Sequence, residues 1–364
     1  MQYYTTRNDF GVGGIILLQG ENRTITIYDI AKEAGVSPAT VSRVLTNNAN
    51  VRSEKKEKIL ALIEKYDFEP NTLARGLAET KTQTIGILSA DIRNPYYASM
   101  FIACEQAARA VGYTAVLCNF LGEKESEMKL LKSLQKQRVD AIIQFGGRVD
   151  DLTSEEEYVE FANQIMATTP LVVTGKLDGT RCHIVRIDSM KAMDLLMEHL
   201  LGLGHRKIAL IGGRRDVLST FEKYQRYKQI LKERQIEFDP RLVPEQGNYN
   251  AQTAYQQMTE LLDAGVEMTA VIAINDFSAL GIMQCLTQRG YRIPEDISVV
   301  SYDNTYMAEV SVPTLTSVDY NYEEYGRKLI DTATALIDGR KVGRVRMVTP
   351  TLVVRGSSGK CRES

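Results

Sequence analysis

Tryptophan is absent from this 364-residue chain, histidine occurs three times and cysteine five times. The cysteines, Cys104, Cys118, Cys182, Cys285 and Cys361, lie far apart, form no CxxC pair and are odd in number. That pattern excludes a disulfide framework and a zinc site of the usual spacing. It reads as free thiols in a reducing, cytoplasmic compartment. His183, His199 and His205 lack metal-ligand spacing, so no metal and no cofactor is expected. No apolar run reaches the ~18 residues that a membrane helix needs, which excludes a membrane-spanning helix. The chain also lacks a GxSxG elbow, a GxxxxGK phosphate loop, an HExxH pair and a catalytic Cys/His pairing, so an enzyme is not expected. A basic excess is missing as well: 44 Lys and Arg stand against 46 Asp and Glu. Any contact with nucleic acid must therefore come from a local surface.

What is present suits a soluble protein, with 44% apolar and 25% charged residues. The length fits a small module joined to a two-lobed domain. At the amino end, Gly11 to Leu18 (GVGGIILL) is apolar but short, with Arg7 the only basic residue before it and no small-x-small cleavage site after it. A secretory signal is excluded on those grounds, and residues 1–23 read as a disordered leader.

Three short helices follow. Thr26, with Asp29 three residues on, forms a capping-box-like opening, and Ile30, Ala31 and Ala34 then share one face. Gly35 ends that helix. Ser37 and Pro38 start the next, since serine caps and proline suits the first helical position. Val41, Val44 and Leu45 form its buried stripe. Ser53 is expected to cap a third helix that turns Ile59, Leu62, Ile63 and Tyr66 inward. Two short helices joined by Gly35-Val36-Ser37 have the form of a helix-turn-helix. The outward face of the second carries Pro38, Ala39, Ser42, Arg43 and Thr46, small or polar groups around one arginine. Arginine can bond both acceptors of a guanine edge, and Ala39 can meet a thymine methyl. From Ala34 to Ser53 there is no acidic residue, while Arg43 and Arg52 are present, as a phosphate surface requires. A generic three-helix bundle is the plainer alternative; caps, turn and an acid-free second helix together favour DNA.

From Thr84 the texture changes to short β-branched runs alternating with helical stretches. The runs are Ile85 to Leu88, Ala115 to Leu117, Ala141 to Ile143, Leu171 to Val173, Ile184 to Ile187, Lys207 to Ile211, Ala270 to Ile274 and Ile297 to Tyr302. This alternation predicts parallel α/β sheets, and so many strands predict two doubly wound lobes. Such domains bind ligands in the cleft between lobes, at the carboxyl ends of strands. Asp91, Tyr96 and Tyr97 follow the first run. Tyr249 lies in a loop, Asn275 and Asp276 follow Ile274, and Asp303 follows Tyr302. Carboxylates accept paired hydrogen bonds from vicinal hydroxyls and aromatic faces pack on sugar C–H groups, so a sugar or polyol is expected.

The segment Thr26 to Leu45 (TIYDIAKEAGVSPATVSRVL), with Tyr66 to Asn71 (YDFEPN) and Leu73 to Leu77 (LARGL), closely resembles the headpiece of the lactose-repressor/galactose-repressor (LacI/GalR) family. Arg292 to Asn304 (RIPEDISVVSYDN) resembles that family's sensor-domain signature. The resemblance runs from Thr26 to about Ser357. It implies a homodimer on near-palindromic double-stranded operator DNA, with the second helix in the major groove. Pro38, Ala39 and Arg43 match base-reading positions. Tyr28, Thr40, Ser42 and Asn50 match backbone- or base-contacting positions, and Ser37 opens the same helix. Leu77 matches a leucine that wedges into the minor groove, a contact that unstacks a base step and bends the duplex. Gly76 beside it weakens the hinge helix by roughly 1 kcal/mol relative to alanine.

For the sensor, the resemblance implies a periplasmic-binding-protein-like, two-lobed α/β fold, each lobe a doubly wound parallel sheet. Asp303 matches the family's main ligand carboxylate, Tyr97 and Tyr249 its pocket aromatics, and Asn275 and Asp276 its polar loop. Lys223 stands where the family usually carries a ligand-binding arginine, and lysine cannot make arginine's planar bidentate contact. The expected boundaries are a headpiece at 24–70, a hinge at 71–81 and an effector-binding and dimerisation domain at 82–364. Within that domain, the amino-terminal lobe takes about 82–188 and 305–341, and the carboxy-terminal lobe about 189–304 and 342–357. The expected function is transcriptional repression of carbohydrate-utilisation genes in response to a sugar or sugar phosphate. The alternative is a catabolite-control regulator co-activated by a phosphorylated carrier protein. Against it, Thr305 to Glu309 (TYMAE) lacks an arginine to meet a phosphoserine. An exported sugar-binding protein shares the two-lobed fold but would need a signal peptide and would not carry a helix-turn-helix.

Overall fold

The computed structural model describes residues 25–45, 51–66, 68, 81–245 and 247–362. The chain divides into two units, Met1–Thr80 and Lys81–Ser364. The expectations for the leader at 1–23, for Thr46 and Asn50, and for the hinge with Gly76 and Leu77 lie outside the described residues.

In the first unit, α1 (Ile27–Ala34), α2 (Pro38–Leu45) and α3 (Ser53–Lys65) enclose a small core. Thr26 and Asp29 form the reciprocal capping box: the Thr26 amide donates to Asp29 Oδ2 at 2.9 Å, and the Asp29 amide donates to Thr26 Oγ1. Gly35 ends α1 at φ +71°, a left-handed conformation in which a side chain would be strained. The core joins Ile30, Ala31, Ala34, Val41, Val44, Ile59 and Leu62. Outside it, Glu33 accepts from Lys65 Nζ at 2.9 Å and from Tyr66 Oη at 2.7 Å, tying α1 to the end of α3. Ser53 does not cap α3. It is the first helical residue, the cap position is Arg52, and the Ser53 hydroxyl donates to Glu57 instead.

The second unit holds two sheets. The first has strand order β10-β5-β4-β3-β1-β2, made of β1 (Thr84–Ser89), β2 (Thr114–Asn119), β3 (Ala141–Phe145), β4 (Leu171–Val173), β5 (His183–Ile187) and β10 (Val345–Val348). The second runs β11-β9-β8-β7-β6, from β6 (Ile208–Ile211), β7 (Ala270–Ala273), β8 (Ser298–Asp303), β9 (Thr316–Asp319) and β11 (Thr351–Val353). Helices α4 (Pro95–Ala110), α5 (Lys124–Lys136), α6 (Glu156–Met166) and α12 (Tyr322–Ile337) belong to the first lobe. Helices α7 (Ser189–Gly202), α8 (Leu218–Glu233), α9 (Ala251–Asp263), α10 (Asp276–Gln288) and the short α11 (Tyr306–Val310) belong to the second.

Strands β3, β4, β6 and β7 are buried along their whole length, because parallel strands covered on both faces by helices must be apolar on both. Ile85, Ile87, Met100, Ile143 and Leu329 fill one face of the first sheet, and Leu88, Leu131, Ile142, Tyr158 and Val173 the other. Gly86 admits α5 against β1, since a Cβ there would lie 2.9 Å from the Leu134 side chain.

The pairing is parallel except at one edge, where β11 runs antiparallel to β9. The expected lobe boundaries change accordingly. β9 lies in the second sheet although 305–341 was assigned to the first lobe, and β10 lies in the first sheet although 342–357 was assigned to the second. The chain passes between sheets at Asp188–Ser189, between β9 and α12, and between β10 and β11. Segments TSVD, VRMV and TLV are only three or four residues long; sheet pairing rather than local pattern makes them strands.

Candidate functional site

The first unit presents one face of α2 to solvent. Burying Val41 and Val44 leaves Ala39, Ser42 and Arg43 exposed, with Ser37 exposed just before them and Pro38 and Thr40 half-buried. The Thr40 amide bonds to Ser37 Oγ at 3.3 Å and the two hydroxyls meet at 2.9 Å, which holds the first turn of α2. Tyr28, at the start of α1, is 71% exposed. A short helix with small residues around a solvent-facing arginine can approach a groove floor closely and reach base edges.

The second unit contains a cavity of ≈ 740 Å³ between its two sheets, lined by residues of both lobes. The sequence-predicted residues Asp91, Tyr96, Tyr97, Lys223, Tyr249, Asn275 and Asp303 all line it. Asp91 is engaged by the Arg93 guanidinium at 2.7 Å, which holds its carboxyl below the ordinary range. Tyr96 and Tyr97 occupy the first turn of α4, capped by Asn94, with ring centroids 5.0 Å apart. Tyr249 shares a hydrogen bond of 2.7 Å with Thr220. Asn275 caps α10 through the Ser278 amide and donates to the Tyr249 carbonyl.

Lys223 and Asp303 sit together on the second lobe. The Lys223 ammonium donates to Tyr320 Oη at 3.1 Å and lies 4.0 Å from the centroid of the Tyr302 ring. Burial pushes its pKa down to about 8, against the opposing pull of Asp303. Burial also raises the Asp303 carboxyl well above the usual range, the Asp276 charge adds to this, and Lys223 opposes it. Asp303 has φ +98°, a conformation that costs a non-glycine residue ~1–3 kcal/mol and tends to survive at functional positions.

Asp276 was expected in the cleft and is not there. Its carboxylate is 1% exposed and accepts from Ser301 Oγ, Ser317 Oγ, the Thr305 amide and Thr305 Oγ1, at 2.5 to 2.9 Å. Those bonds use both oxygens to staple β8, β9 and the loop after β8, leaving nothing to offer a ligand.

Beyond Asp91, Tyr96 and Tyr97, sequence reasoning missed part of the first lobe's contribution. Glu127, Arg148 and Asp150 line the cavity beside Tyr325. Asp150 follows β3 as Asp303 ends β8, so the rule that selected Asp303 would have found it. Burial, with Asp151 and Glu127 nearby, raises the Asp150 carboxyl to about 7. Glu127 reaches about 7 from burial, against stabilising contacts from Arg148, Tyr158 and Gln144. The two lobes are joined here by backbone: Leu218 N donates to Asp150 O at 2.8 Å and Leu152 N to Asp216 O at 2.6 Å. A ligand in this cleft would touch both lobes and so bias how they meet.

A helical DNA-reading module and a two-lobed ligand cleft in one chain define a ligand-responsive DNA-binding regulator. Residues 26–71 match the model described as bacterial regulatory proteins, lacI family, and residues 197–358 the periplasmic binding protein-like domain. Catabolite control protein A of Staphylococcus epidermidis is 32% identical over 332 residues, which is 90% of this chain and 97% of that protein. The Lac repressor dimer bound to operator and the anti-inducer ONPF superposes with a TM-score of 0.82 at 27% identity, covering 93% of this chain and all of that one. The regulator CelR in complex with cellobiose gives 0.67 at 27% identity, covering 92% of this chain and 100% of that one. The chain belongs to the LacI family of DNA-binding transcriptional regulators. Among the described residues, no helix is long and apolar enough to cross a membrane.

Proposed function

We propose that this regulator binds a near-palindromic operator as a homodimer and represses carbohydrate-utilisation genes under control of a small polyhydroxylated effector held in the cleft. It works in the cytoplasm and binds its effector without transforming it. The observation that carries this reading is that Asp303 and Lys223, each buried and each within reach of the other's charge, line a cavity walled by both lobes. An effector acts only by favouring one lobe arrangement over another. Family structures with operator and anti-inducer, and with cellobiose, support it. The DNA contacts assigned are Tyr28, Ser37, Pro38, Ala39, Thr40, Ser42 and Arg43, with Asn50 and Leu77 carried by resemblance. The test is operator titration of wild type and Asp303→Ala, with and without a panel of sugars. The variant should bind operator like wild type yet lose the response; a response at unchanged ligand concentration would remove Asp303 from the site.

A second reading has its own support: relatives at 31–33% identity are named catabolite control protein A. Such a regulator would need a phosphoprotein-docking surface. The segment after Asn304 instead presents Tyr306, 63% exposed, and no arginine. Operator affinity that rises with a serine-phosphorylated carrier protein and ignores sugars would establish this reading instead.

A further inference from the structure

The cleft has a charge arrangement that selects among effector classes. Its lining cations are Arg93, Lys124, Arg148, Arg186, Arg214 and Lys223. Arg93 is paired with Asp91 at 2.7 Å, Arg186 with Glu222 at 3.0 Å and Arg214 with Asp216 at 2.5 Å. Arg148 reaches Glu155 at 2.9 Å, and Lys124 bonds the same carboxylate. Five of these six cations are thus in ion pairs with acids, and the sixth, Lys223, donates to Tyr320 Oη and feels the Asp303 charge.

Two carboxylates on the first lobe are not answered in the same way. Asp150 lines the cavity, and among the described residues no side-chain hydrogen bond or ion pair engages its carboxylate. Glu127 is fully buried. Its Oε1 accepts from Gln144 at 2.6 Å and from the Arg148 amide at 3.1 Å, while Oε2 has no hydrogen-bond partner, the nearest cation being Arg148 Nη1 at 3.7 Å. Tyr96, Tyr97, Tyr249 and Tyr325 line the same cavity as Asp150.

A phosphate beside Lys223 would face Asp303, and at the other cations it would have to break an existing pair. A neutral sugar would give Asp150 hydrogen bonds but would do nothing to favour its ionised form, which burial disfavours. A cation would neutralise it and meet aromatic faces as well. Resting on the reading of this cleft as the effector site, we propose that the effector is a polyol carrying a protonated amine, such as an amino sugar, with its ammonium seated against Asp150. Hydroxyls on the far side of the ring meet Asp303.

The test is calorimetric titration of the full-length protein at neutral pH with D-glucosamine, D-galactosamine and D-mannosamine. Each is compared with its neutral parent sugar and the parent's 6-phosphate. At least one amine should bind roughly tenfold tighter than its parent, equivalent to about 1.4 kcal/mol, with the phosphate weaker than both. In Asp150→Asn, checked for an unchanged melting profile, the ratio of amine to parent affinity should fall towards one. A parent or phosphate that binds as tightly as the amine overturns this inference and leaves the cleft assignment standing. An amine preference that survives in Asp150→Asn also overturns it. Failure of every compound to bind overturns both.

Discussion

Replacing Glu127 by glutamine should change how stability depends on pH. Glu127 is completely buried under the first lobe's wall, bonded to Gln144 and the Arg148 amide and with one oxygen unbonded. Burial raises its pKa from 4.5 to about 7. The folded state therefore holds a proton here that the unfolded chain releases near 4.5. Between those values the folded state binds more protons, so stability falls as pH rises. The favourable contribution is fully present below about pH 4.5 and lost above about pH 7. A shift of roughly 2.5 units at 1.36 kcal/mol per unit is about 3 kcal/mol. Glutamine keeps the shape and cannot titrate. Urea denaturation at intervals from pH 4.5 to 8, followed by circular dichroism, should show wild type losing about 3 kcal/mol more than Glu127→Gln across that window. Parallel profiles for the two proteins would refute the assignment of a protonated, buried Glu127.

The remaining predictions concern Asp276, Lys223 and Tyr249. Asp276→Ala should destabilise the second unit by about 3 kcal/mol or more, because it orphans buried donors from Ser301, Ser317 and Thr305; a normal melting temperature with altered ligand affinity would instead make it a ligand contact. Lys223→Met should leave Asp303 without its nearby counter-charge and raise the Asp303 pKa further, shown by the carboxyl resonance in NMR titration; no shift would mean that the pair does not communicate. Tyr249→Phe removes the hydroxyl bond to Thr220 and should cost about 1 kcal/mol or less in stability, read from the urea midpoint; a loss of several kcal/mol would point to a larger role in the fold.

Legibility followed the range of the interactions. The Thr26–Asp29 box, the Gly35 turn and the Val41–Val44 stripe are contacts within a few residues, and sequence spacing contains them. The eight expected strands are short runs rich in β-branched residues, and all eight appear in the two sheets. The strands at 316–319, 345–348 and 351–353 owe their form to partners far along the chain, so the lobe boundaries at the crossovers were not readable. In the cleft, Asp276 and Asp303 look alike in sequence, each an acid at the end of an apolar run. What separates them is orientation: Asp276 turns inward on the first turn of α10, and Asp303 at φ +98° lines the cavity. Glu127 was hidden because it lies in the first turn of α5, beside Glu125, where an acid ordinarily faces solvent.

The central claim is that α2 reads DNA sequence through its exposed face. The most direct measurement is selection of duplexes from a random pool by the purified protein, followed by titration of the winning site with wild type and Arg43→Ala at two salt concentrations. The account predicts enrichment of a near-palindrome. It also predicts a loss of ~1–3 kcal/mol in Arg43→Ala, with relaxed preference at one position in each half-site. No enriched motif, or an Arg43→Ala protein with unchanged affinity and preference, would contradict it.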